Sequence, residues 1–200
     1  KNFGSITGLP DDSLLSEEWW MQVTSLSFGM VGVGDIPDSL IRMQHLEVLE
    51  VCFELRTGVE SLVSWFQDED LPQHLPHLHT LRLRFPRPMP FQRSYRLCPD
   101  PESRPLQLLF PQLRHLSLAT PVLCAFLLRP PHLQSLQLEE ATRSLEDLDP
   151  VADFLHGTGT PLPLLQLCLP STSDLCGADI HSHLGPHLAQ RVAVRRSCAR

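Results

Sequence analysis

One short phrase recurs along the chain and limits what it can fold into: an apolar residue, a second three positions on, and a third two positions after that. It reads VTSLSF from Val23, LEVLEV from Leu46, LHTLRL from Leu78, LRHLSL from Leu113, LQSLQL from Leu133 and LLQLCL from Leu164. The middle four copies are introduced by MQHL, LPHL, FPQL and PPHL. The second half of the phrase alternates with the period of a strand and places two apolar side chains on one face. The first apolar residue enters the same interior from the preceding turn. One such unit cannot hide its leucines from water, whereas stacked units bury each row against the next.

Leucine supplies 38 of the 200 residues, and proline 19. Prolines at that density break long helices, so the leucines must serve short elements separated by many turns. The formal charge of −7 argues against a general nucleic-acid binder. No apolar stretch is long enough to span a membrane, and nothing near Lys1 has the charged-then-apolar layout of a secretory signal. The six cysteines are widely and unevenly spaced without a CxxC pair. Cys52 and Cys168 fall inside strand phrases, where a small thiol is ordinary. Together these features favour a reducing compartment, cytoplasmic or nuclear.

The phrase and its lead-ins resemble those of the leucine-rich repeat family over about residues 19 to 170. The repeats are irregular: their starts lie 20 to 35 residues apart, and the position after the strand is not regularly Asn or Cys. Gly34 to Val51 resembles the plant-type variant, while LPHLHTLRLRF and FPQLRHLSLAT are similar to the divergent arrays found behind F-box domains. The resemblance implies an α/β fold, a right-handed solenoid with a parallel sheet on its concave side and short helices and loops on its convex side. It also implies a protein-binding, non-catalytic role without a cofactor, in which the chain reads the substrate of an F-box-type ubiquitin ligase. A ligase adaptor is implied as a partner only if an F-box lies upstream of this chain. LPDDSLLSEEWW, from Leu9, looks like an F-box opening, but the first repeat strand follows too soon for one.

Between the phrases the sequence predicts convex-side elements. Val59, Leu62, Val63 and Phe66 form a helical stripe. Residues 85–105 carry six prolines and read as an irregular insertion. A short apolar helix is expected from Val122 to Leu128. A further helix is expected with Asp149 as N-cap, Pro150 opening it, Val151, Phe154 and Leu155 buried, and Gly157 closing it. Residues 1–18 are expected to form a lead-in or cap, with Asp12 or Ser13 capping a short helix that packs Trp19 and Trp20 over the first repeat. Beyond Pro170 the phrase is lost. Residues 171–200 read as a cap, a degenerate repeat or a tail, with Leu184 and Leu188 suggesting one more short helix.

Residues flanking the inward leucines are implied by the resemblance to line the concave face. They are Ser25, Ser27 and Gly29; Val48, Glu50 and Cys52; Thr80, Arg82 and Arg84; His115, Ser117 and Ala119; Ser135, Gln137 and Glu139; and Gln166 and Cys168. The expected partner-binding residues are Glu50, Arg82, Arg84, His115, Ser117, Gln137 and Glu139, centred on the two arginines because guanidinium groups form paired hydrogen bonds. Two readings compete with this one. Cys176, His181, His183 and His187 all bear zinc-binding side chains and would suit a metal-dependent hydrolase, but they lack paired-ligand spacing, so no metal site is assigned. An extracellular or immune-receptor repeat is the other. No catalytic motif is present, since the glycines from Gly29 follow a strand phrase and lead into Ile36-Pro37, not into a phosphate-facing helix.

Overall fold

The structure is a computed structural model that describes residues 21–32, 38–53, 71–84, 109–141, 144–156, 161–170, 173–185 and 187–197. It is an α/β fold built on one seven-stranded sheet in which every neighbouring pair is parallel and strand order follows chain order. The strands are β1 (Ser25–Val31), β2 (Val48–Phe53), β3 (Thr80–Arg84), β4 (His115–Leu118), β5 (Ser135–Ala141), β6 (Leu164–Pro170) and β7 (Val192–Ser197). Short helices accompany them: α1 (Leu71–His74), α2 (Asp149–His156) and α3 (Gly177–Leu184), with 3-10 turns at Asp38–Arg42, Pro121–Phe126 and Glu146–Leu148.

The repeated phrase accounts for the register. Leu26, Leu49, Leu81, Leu116, Leu136, Leu165 and Val192 are partners from strand to strand. So are Phe28, Val51, Leu83, Leu118, Leu138, Leu167 and Val194, two residues further along. From β1 to β6 both rows are buried, and Val192 and Val194 pack partly buried against the same core. Each fully buried leucine contributes about 1.5–3 kcal/mol, and a one-residue slip would turn a whole strand's set toward water. The leading residues of the phrase, Val23, Leu46, Leu78, Leu113 and Leu133, form a third buried row.

The four matching lead-ins are one turn used four times. In each, the fourth residue's N–H donates to the first residue's carbonyl: Leu46 to Met43, Leu78 to Leu75, Leu113 to Phe110 and Leu133 to Pro130. The two outer residues are buried and the two between them exposed. Pro76, Pro111 and Pro131 hold the second position, where proline's fixed φ suits such a turn. The carbonyls of Thr24, Glu47, His79 and Arg114 then each accept two N–H groups from the next unit, which ties turn to turn before the strands begin.

Several expectations are corrected. The sixth phrase starts at Leu162: Leu162 and Leu165 are buried, while Leu164 faces outward opposite Ser135. Asp149 is not an N-cap. Its backbone is helical, because the 3-10 turn at Glu146–Leu148 runs straight into α2, and its carboxylate meets His183 Nε2 at 2.9 Å. Leu188 lies outside α3, which ends at Leu184. The short apolar helix expected from Val122 to Leu128 is present as a 3-10 turn at Pro121–Phe126. The sheet continues past Pro170: β7, from the segment read as a cap, degenerate repeat or tail, pairs with β6 over six residues. The helical stripe at 59–66, the insertion at 85–105, Trp19 and Trp20 lie outside the described residues.

A GPHL segment explains how β7 is reached. The N–H of Leu188 donates to Gly185 O at 3.1 Å, the same hydrogen bond as in the other lead-ins, but it is the next residue, Ala189, that aligns with Leu162. Gly185 ends α3 at φ +89°, a conformation that L side chains avoid. Among the described residues no helix is long and apolar enough to cross a membrane.

Candidate functional site

The outward sides of the same strands form a face whose composition is unconstrained by the core. Its middle row runs in register as Ser27, Glu50, Arg82, Ser117, Gln137, Gln166 and Ala193. The row before it holds Ser25, Val48, Thr80, His115, Ser135 and Leu164. His115 Nδ1 and Ser135 Oγ share a hydrogen bond of 2.8 Å across β4 and β5.

The row after it carries the charge. Arg84 reaches over β4 and donates from Nε to Glu139 Oε1 at 3.0 Å, while its Nη1 bonds Glu50 on the other side. Arg82 Nη1 meets the second oxygen of Glu50 at 3.4 Å. Ser117 Oγ donates to Glu139 Oε1 at 2.7 Å. This network exists because β4 is low: Ser117 and Ala119, each 6 % exposed, leave a trough across which the longer side chains of β3 and β5 meet. Burial lowers the Arg84 pKa, but the hydrogen bond to Glu139 and the charges of Glu139 and Glu50 more than offset it, so the guanidinium is held still more firmly protonated. Beside it, burial pushes the Cys52 thiol up. Glu50 and Glu139 add to that and Arg84 opposes it, which leaves a protonated, poorly nucleophilic thiol. The arrangement is suited to hydrogen bonding and ion pairing rather than covalent chemistry.

All seven residues expected on this face lie on the outward side. Arg82, Arg84, Glu50, Glu139 and Ser117 join one network, and His115 is tied to Ser135. Gln137 lines an open depression of about 290 Å³ with Arg84, Glu139, Gln166, Cys168 and Arg195. Two rows shift locally. A bulge between Phe28 and Met30 puts Met30, not Gly29, opposite Cys52. A second register shift, between Leu138 and Ala141, gives Cys168 the partner Ala141 and frees Glu139 to lean toward Arg84. Ala119 lies just past the end of β4 and is buried.

The cysteine-histidine group is dispersed. Cys176 caps α3, its N–H donating to Asp179 Oδ2 at 2.9 Å. That bond holds the Asp179 carboxyl below its usual range, with the Cys176 side chain adding to the effect. His183 pairs with Asp149, and His187 packs edge-on against His156 with ring centroids 6.3 Å apart. Among the described residues no group of three or more His, Cys, Asp or Glu side chains is placed to hold a metal ion.

Sequence reasoning passed over two arginines. Arg195 borders the depression from β7, and the recurring PHL lead-in was the signal that a seventh strand would bring it there. Arg129 is 6 % exposed and donates from Nη1 to Leu155 O at 2.9 Å, near the C-terminal end of α2 where the helix dipole favours a cation. Among the described residues its Nε has no hydrogen-bond partner, and burial lowers its pKa. Nothing in the sequence around it distinguishes it from a surface arginine.

Compared with models of known families, with curated proteins and with solved structures, the chain has no match in any of the three.

Proposed function

We propose that the chain is an irregular leucine-rich repeat array and that it works as a protein-recognition module, binding a partner on the outward face of its sheet, the concave side of a solenoid. The observation that carries this reading is the unbroken alignment of the middle row from Ser27 to Ala193, behind which the core rows are filled with apolar side chains. The core consumes every inward position. Function is therefore left to the outward positions, which offer paired charges, amides and hydroxyls without an activated nucleophile. Polar groups already held in place by neighbours lose little freedom on binding, which favours recognition. Chain-order strands and the reused turn support the repeat assignment, and free thiols at Cys52, Cys124, Cys168 and Cys176 support a reducing, cytoplasmic or nuclear setting. Reading the substrate of an F-box-type ubiquitin ligase is the specific role we favour, and the module itself performs no catalysis.

The test is partner capture by crosslinking in cells with the native chain, an outward-face variant carrying Arg82→Glu and His115→Glu, and a control carrying Arg114→Glu in a turn. Capture should be lost in the first variant and kept in the second. Equal capture by all three would remove the outward face from the account.

A further inference from the structure

The outward charges are unevenly used. Glu50 is engaged by Arg82 and Arg84, and Glu139 by Arg84 and Ser117. Arg195 of β7 aligns with Cys168 of β6, is exposed, and forms no ion pair among the described residues. Between Arg84 and Arg195 lies the open depression of about 290 Å³, floored on its outward side by Gln137, Glu139, Gln166 and Cys168.

We propose that this depression takes an extended, acidic segment of the partner protein, with Arg195 binding a carboxylate and the Gln137 and Gln166 amides binding the segment's backbone. The proposal rests on the partner-binding reading above and names the chemistry of what is bound. A guanidinium fork matches a carboxylate with two parallel hydrogen bonds. A glutamine amide offers a donor and an acceptor together, as a peptide group requires. Counted with their partners, the guanidinium groups of Arg82, Arg84 and Arg195 stand against the carboxylates of Glu50 and Glu139, and Glu139 already accepts two hydrogen bonds, so the positive charge left over is that of Arg195. The site is thus a positive spot on a chain of net charge −7, which draws an acidic segment here and repels it elsewhere. Ala193, in line with Gln137 and Gln166, carries only a methyl group, so nothing in that row stands between the amides and Arg195. Four strand spacings of about 4.8 Å separate Arg84 from Arg195, a span of roughly 19 Å that about six extended residues cover.

The experiment is fluorescence anisotropy of labelled hexaglutamate and hexalysine peptides with the full chain at low salt. Hexaglutamate should bind saturably and hexalysine should not. Losing one charge-assisted contact should weaken hexaglutamate binding about tenfold in Arg195→Gln and at least as much in Arg195→Glu, while Arg42→Glu, on a distant exposed turn, leaves it unchanged. In the unaltered chain, hexaglutamate should also slow alkylation of Cys168, mapped by mass spectrometry, so the test survives a misfolded variant. Absence of saturable hexaglutamate binding, equal binding of hexalysine, or insensitivity to Arg195 overturns the proposal. Partner capture that is lost on changing Arg82 and His115 but indifferent to Arg195 would leave the outward-face reading standing and remove only this pocket.

Discussion

The middle of the sheet and its last strand follow one plan with different margins. Through β3, β4 and β5, one leucine closes the lead-in turn and opens the strand phrase, the inward partners are all leucines, and the outward charges are paired across the trough over β4. At β7 the turn closes on Leu188 but the strand phrase opens one residue later, on Ala189, the inward partners shrink to Val192 and Val194, and among the described residues Arg195 stands outside the ion-pair network. The same turn chemistry therefore brings a strand into register with much less burial behind it. Charge satisfaction falls along with burial, so the weakly packed end is also where unpaired chemistry is exposed.

The sharpest way to break this comparison is to remove equivalent inward side chains. Leu118→Ala should cost about 2–5 kcal/mol in urea unfolding, as for other fully buried leucines. Val194→Ala, which deletes two methyl groups that are only partly buried, should cost less than about 1.5 kcal/mol. A reversed order would mean that β7 anchors the fold. An effect smaller than that of the buried leucine is expected at the turn into β7. Gly185→Ala places a Cβ 3.3 Å from the His187 ring at a φ of +89° and should cost about 1–3 kcal/mol. Hydrogen exchange should then quicken in β7 first and leave β3 to β5 protected. Uniform loss of protection would show that the two regions unfold as one.

The least costly change sharpens the outward half of the comparison. Glu139→Gln should lower stability by less than about 1 kcal/mol, because its pairs are half exposed and screened. Since the Glu139 charge helps push the Cys52 thiol up, the same variant should lower that thiol's pKa and speed its alkylation near pH 8. Unchanged Cys52 reactivity would separate the thiol from the network.

The leucine rows were legible in the sequence because burial acts on every repeat alike and a period of two has one physical reading. So Leu81, Leu116 and Leu136 were placed correctly, as were the outward Glu50, Arg82, Ser117 and Gln137. What escaped were features that depend on neighbours rather than on periodicity. The bulges that set Met30 and Glu139 arise from strand pairing. The start of the sixth phrase was hidden by a run of leucines from Leu162 to Leu169, within which several registers look alike. Asp149 looks like a cap until the preceding 3-10 turn is known to continue into its helix. The seventh strand carries valines in place of leucines, and only its GPHL lead-in announces it. Arg129 owes its burial to the folding of α2 near it, which no local pattern encodes.

The buried core and the outward face both depend on one register running across the sheet. Nuclear Overhauser contacts between backbone protons of isotopically labelled chain test it most directly. Cross-strand contacts should link Glu50 with Arg82, Arg82 with Ser117, Ser117 with Gln137, and Gln137 with Gln166, in parallel geometry. Contacts displaced by one residue, or antiparallel patterns, would turn the leucines outward and contradict both the core and the face built on it.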